Sequence, residues 1–177
     1  MSEIVHSAAV FTLDALNRMD REAFRAWLGD VFEDSPWVAE RAWEARPFRN
    51  IEELHAAMRA VVTRASGAER LALLRAHPDL AGKAARAGAM SASSVAEQAT
   101  AGLDRLSDEE FARFERLNAA YRERFGFPFI IAVRRHDKLA ILAAYERRLG
   151  HTREGEIEAA LEQVFEITAI RLAARVH

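Results

Sequence analysis

Proton and anion chemistry in this chain falls to a histidine before a proline, a Glu-Gln pair and an arginine near the C-terminus. His77 precedes Pro78 at the close of the apolar stretch Leu71 to Leu74. Proline disfavours helical geometry in the residue before it, so His77 is expected at or just past a helix end. An imidazole there can simply complement the helix dipole. It can also donate and accept a proton, with its ring aimed by a rigid junction. Glu97 reads equally well as the third residue of a capping box begun by Ser94. Gln98 adds an amide that both donates and accepts, a match for an imide- or urea-like edge. Arg171 lies among Ile167, Ile170 and Leu172. Most such arginines snorkel to solvent. One that faces inward needs an anion, and its own helix sets no carboxylate on the apolar stripe beside it.

The elements that must carry these groups read as helices. Glycine and proline are few, at 8 and 4, and Ala, Leu, Glu and Arg, all good helix formers, dominate. Asn50 to Glu53, Ser66 to Glu69, Ser94 to Glu97 and Ser107 to Glu110 have the form of capping boxes. Between them apolar residues recur at helical steps, as in Phe24, Trp27, Leu28 and Val31, or Leu54, Met58, Val61 and Val62. A last stripe over 153–174 runs through Ile157, Leu161, Val164, Ile167 and Leu172. The exception is Phe127-Pro-Phe-Ile-Ile-Ala-Val133, an apolar run too short for a helix. Lacking a sheet, its backbone groups must find side chains, water or a ligand. The expected fold is all-α: one compact multi-helix domain over 1–177, with a single short extended apolar segment near 127–133.

Composition removes several function classes. The chain has 177 residues, a mass of 19.9 kDa and no cysteine, so thiolate nucleophiles, disulfides and cysteine-held metals are excluded. With 25 basic against 27 acidic residues there is no positive excess for a nucleic-acid backbone. No apolar run suits a membrane span and no basic leader opens the chain, so a cytoplasmic location is expected. Ala81-Gly-Lys83 lacks the remaining elements of a phosphate loop. Glu52 to His55 supplies one Glu-x-x-His step where a di-iron bundle needs two, and no metal site is expected. Arg134, Arg135 and His136 could mark an anion site, or only the polar start of the next helix.

Taken together these segments are more specific than any one of them. Ser35-Pro-Trp-Val-Ala-Glu-Arg-Ala-Trp43, Arg46-Pro-Phe48, His77-Pro-Asp-Leu-Ala-Gly-Lys83, Ser94-x-x-Glu97-Gln98 with Ala101-Gly-Leu103, and Phe125 to Val133 occur in one order. That order resembles the OHCU decarboxylase family, from about Leu13 to about Arg171. OHCU is 2-oxo-4-hydroxy-4-carboxy-5-ureidoimidazoline, the unstable intermediate before allantoin in urate breakdown. The resemblance implies an all-helical, cofactor-free, homodimeric decarboxylase that yields (S)-allantoin and CO2, with no nucleic-acid or membrane partner. By motif position His77 is the catalytic acid, Glu97 stands beside the reacting centre, and Pro78 lines the pocket. Ser94, Val95, Ala96, Glu97 and Gln98 contact substrate. Phe129, Ile130, Ile131, Ala132 and Val133 offer backbone contacts, and Arg171 holds the substrate. Thr152 and Arg135 depart from the family's usual residues without touching these motifs. Two other readings compete: a helical interaction module that has lost its pocket, and a hydrolase of a related ureide.

Overall fold

The computed structural model describes residues 10–82, 88 and 90–177. Among them are nine α-helices: α1 (Leu13–Arg18), α2 (Arg21–Leu28), α3 (Trp37–Ala42), α4 (Ile51–Arg64), α5 (Gly67–Arg75), α6 (Ala92–Thr100), α7 (Asp108–Phe125), α8 (Lys138–Arg148) and α9 (Arg153–Ala173). Short 3-10 turns occupy Trp43–Ala45 and Val133–Arg135. The all-α expectation holds. Among the described residues no strand forms, and Phe11 and Val176 make one isolated parallel bridge.

Helix starts follow the side-chain oxygens that can satisfy orphan backbone N–H groups. Ser66 with Glu69 and Ser107 with Glu110 form complete capping boxes. Asn50 caps α4, while the Glu53 carboxylate turns to the Arg49 N–H instead of closing a box. At α6 the expected box is displaced. Ser91, not Ser94, is the N-cap, accepting from the Ser94 N–H at 3.2 Å. Ser94 is thereby moved inside the helix, where it shares a buried face with Gln98 one turn later.

Packing divides the chain into two compact units, one built from residues up to Ala65 together with Thr168–His177, the other from Ser66–Ile167. In the first, α3 packs on α2 and α4 over a core that includes Phe24, Val38, Leu54 and Met58. The Arg46-Pro-Phe48 motif has a structural task there. Arg46 Nη1 donates to the carbonyls of Asn17 and Met19 at 2.8 and 2.7 Å, and its guanidinium covers the Trp43 ring at 3.9 Å. The Asn17 amide in turn satisfies both backbone groups of Phe48.

The second unit is built around an aromatic and polar centre. Phe129 stacks on Tyr145 and meets Tyr121 edge-on. Tyr121 donates to Glu156 Oε1 at 2.6 Å, and Arg148 Nε donates to the same oxygen at 2.5 Å. Tyr145 donates to Asn118 Oδ1. Burial pushes both phenols up from their usual range. The Glu156 hydrogen bond adds to the effect at Tyr121, and the Asp79 charge adds to it at Tyr145.

A phenol whose pKa rises on folding supports the fold fully below the ordinary tyrosine value of about 10, and that support fades as pH climbs past it. Tyr121 and Tyr145 are the chain's 2 tyrosines. In an alkaline titration phenolate absorbance is therefore expected to stay flat above pH ~10 until helical circular dichroism is lost. Phenolate signal that rises while the helices persist would contradict this burial.

Candidate functional site

His77 follows α5 directly: Ala76 caps the helix and the His77 N–H still reaches the Leu74 carbonyl at 3.3 Å. The position just past the helix end is the one expected from Pro78. The imidazole folds back, with Nδ1 3.0 Å from the Leu73 carbonyl, and the residue is only 6% exposed. A carbonyl can only accept, so Nδ1 carries the hydrogen of that contact. Nε2 is then the ring atom left for chemistry, an acceptor in the neutral ring and a donor in the imidazolium.

The loop after His77 is held from several helices. Gln98 on α6 accepts from the Ala81 N–H at 2.9 Å and donates to the Asp79 carbonyl and to Met90 Sδ, each at 3.3 Å. Asn118 on α7 donates to the Leu80 carbonyl at 2.9 Å. Arg122, also on α7, pairs with Asp79 at 2.9 Å. Ala81 sits at φ 50°, a left-handed conformation that costs an L-residue about 1–2 kcal/mol. The Gln98 oxygen on its N–H offsets part of that strain. The amide expected to read a substrate edge thus also positions the histidine loop. Lys83, the end of the His77 motif, lies outside the described residues.

On α6 the five expected substrate residues divide by face. Ser94 and Gln98 are buried, Glu97 is half-buried, and Val95 and Ala96 are exposed. The helix packs on the 3-10 turn Val133–Arg135, so α6 bridges the histidine loop to the end of the extended run. Arg75 completes the link by donating to the Gly126 carbonyl at 3.0 Å.

Phe129 to Val133 are all buried and form neither helix nor strand before Val133. Their backbone finds side-chain partners, as an unpaired buried run must. Arg148 Nη1 donates to the Ile130 carbonyl at 2.6 Å, and the Ala132 N–H donates to Gln163 Oε1 at 3.0 Å. Among the described residues, the Ile130 N–H and both backbone groups of Ile131 have no such partner. These are groups that a ligand with amide-like edges can use.

Arg171 belongs to the first unit. It is 6% exposed, and Nη1 donates to Glu33 Oε2 at 2.9 Å and to the Val31 carbonyl at 3.1 Å. Glu33 is the anion that an inward-facing arginine requires, and it comes from a distant stretch of chain. Sequence reasoning also missed Asn118, Arg148, Glu156 and Gln163, the side chains that hold the two irregular segments. A signal existed for Glu156. With Ala160 and Val164 it forms an i, i+4, i+8 row of fully buried positions on α9. Among the described residues no group of three or more His, Cys, Asp or Glu is arranged to hold a metal, and no helix is long and apolar enough to cross a membrane.

Comparisons with known proteins identify the family. A family model for OHCU decarboxylase matches residues 17–173. The 2-oxo-4-hydroxy-4-carboxy-5-ureidoimidazoline decarboxylase of Haloferax volcanii is 48% identical over 164 residues, which cover 93% of this chain and 95% of that one. Its counterpart from Halalkalicoccus jeotgali is 45% identical over 161 residues, covering 91% and 89%. A crystal structure of (S)-allantoin synthase aligns with TM-score 0.75 at 36% identity, over 94% of this chain and 54% of that one. The chain therefore spans about half of that longer polypeptide. On this evidence the chain belongs to the OHCU decarboxylase family.

Proposed function

We propose that the chain decarboxylates OHCU, releasing CO2 and delivering (S)-allantoin, within urate degradation. The observation that carries the geometry is the tethering of the His77 loop to α6 through Gln98, with α6 packed on the end of the Phe129–Val133 segment. That tether and that packing support a reading in which His77, α6 and the Phe129–Val133 segment serve one site.

In this reading the bond between ring carbon C4 and its carboxylate breaks heterolytically, CO2 departs, and the electron pair forms a C4=C5 bond while the C5=N π pair moves to the ring nitrogen, which takes up a proton. The substrate is thus its own electron sink, and the C4 hydroxyl of the resulting enol becomes the product carbonyl as it gives up its proton. The protein orients the carboxylate out of the ring plane, keeps water away and delivers one proton to one face of C5, the carbon whose handedness the product shows. His77 Nε2 is the donor, because Nδ1 is engaged with the Leu73 carbonyl. Glu97 works with it; a carboxylate close to an imidazole keeps the ring protonated nearer neutrality. Ser94, Val95, Ala96 and Gln98 on α6, with Pro78, line the substrate. The backbone of Phe129, Ile130, Ile131, Ala132 and Val133 receives its ureido and carbonyl edges. Arg171 enters through its place in the family's motif, as a substrate anchor. A homodimer and a cytoplasmic location accompany this reading as family expectations.

OHCU also decays unaided, to racemic allantoin, so handedness is the decisive readout. Freshly generated OHCU is expected to give product with the circular dichroism of (S)-allantoin when the protein is present. A racemic product would overturn the decarboxylase assignment and favour an interaction module, and net uptake of water without CO2 release would favour a ureide hydrolase. His77→Ala is expected to slow turnover by about 10²–10⁴-fold and to return the product toward the racemate. Wild-type turnover in that variant would remove His77 from its role. Gln98→Leu is expected to lower kcat by ~10²-fold through misplacement of the histidine loop while helical content is retained.

A further inference from the structure

Between α8 and α9 of the second unit lies a cleft of about 230 Å3 that no residue of the His77 loop or of α6 lines. Its polar lining comes from Arg147 and Arg148 of α8, Gln163 of α9, and the loop residues His136 and His151. Ile131, Ala144 and Ala159 complete the lining.

Within that lining the two arginines and Gln163 present donors. Gln163 commits its carbonyl oxygen to the Ala132 N–H, leaving the amide hydrogens available. Arg147 is exposed and forms no ion pair among the described residues. Arg148 is buried, its side chain only 6% exposed, with Nε on Glu156 and Nη1 on the Ile130 carbonyl. Its Nη2 is buried with no hydrogen-bond partner. An anion in the cleft would bring negative charge close to this guanidinium, which lacks an acceptor at Nη2. The neighbouring carboxylate, Glu156, is already engaged: Tyr121 and Arg148 donate to Oε1 and His151 Nδ1 lies 3.0 Å from Oε2.

We infer that this cleft is a second ligand site, one that binds a small phosphate-class oxyanion, either free or as the end group of a monoester. Donors reach it from two helices and two loops. A planar carboxylate offers two oxygens to such a set, whereas a phosphate offers three or four. The volume is well above the about 30 Å3 that one water occupies in the liquid, so a five-atom oxyanion fits. Arg148 and Gln163 also hold the Ile130 carbonyl and the Ala132 N–H. An anion bound here therefore draws on the side chains that fix the Phe129–Val133 segment.

Calorimetric titration of the full chain with inorganic phosphate, at ionic strength held constant with chloride, tests the site without reference to catalysis. Saturable binding is expected, together with shifts of the Ile131 and Ala132 amide resonances. Arg147→Ala, an exposed change that leaves the core intact, is expected to weaken binding at least about tenfold, and Arg147→Lys to restore part of it. Glycerol phosphate binding tighter than phosphate supports a monoester as the natural ligand; equal or weaker binding supports the free ion. Absence of saturable binding, or binding that Arg147→Ala leaves unchanged, overturns the proposal.

Discussion

Two stretches of backbone that belong to no helix are buried in the second unit, and side chains must satisfy them. Buried peptide groups without partners each cost on the order of 1–3 kcal/mol. The loop from His77 to Gly82 meets this in part through Gln98 and Asn118, and the run from Phe129 to Val133 in part through Arg148 and Gln163, with the Ile130 N–H and the Ile131 backbone left for a ligand. Each of these side chains stands on a helix whose own backbone is already paired. The helices therefore act as a frame, and the irregular segments, released from helical geometry, can present a ring nitrogen and peptide groups to a small molecule.

Behind the frame sits a buried ion pair. Arg148 and Glu156 are almost fully withdrawn from water, and such a pair balances its desolvation only with further hydrogen bonds. Here Tyr121, His151 and the Ile130 carbonyl supply them. The Arg148 guanidinium also lies over the Phe129 face at 4.3 Å. One arginine thus links the charge pair, the aromatic centre and the backbone of the extended run. Removing either charge would strand the other, a loss of about 3–5 kcal/mol in comparable sites.

Local signals in the sequence led to the right elements. The Ser66 and Ser107 boxes work because cap and partner lie three residues apart, and the position of His77 past α5 follows from Pro78 alone. The Ser94 box was misassigned because Ser91 offers the same oxygen three residues earlier, and local chemistry does not choose between two serines. Partners distant along the chain were harder to see. Sequence shows that Arg171 needs an anion if it faces inward, and that Gln98 can donate and accept. It does not show that Glu33 answers the first, or that the peptide groups of Asp79 and Ala81 answer the second. Those pairings are set by helix packing, which no short window of sequence contains.

The claim that side chains rather than backbone pairing hold the two irregular segments is tested most directly by amide hydrogen exchange at Ala81 and Ala132. In the unaltered chain both amides should be protected to a degree comparable with neighbouring helical positions. In Gln98→Leu protection should vanish at Ala81 alone, and in Gln163→Leu at Ala132 alone, with the helices unchanged. Protection that survives both substitutions would contradict the account.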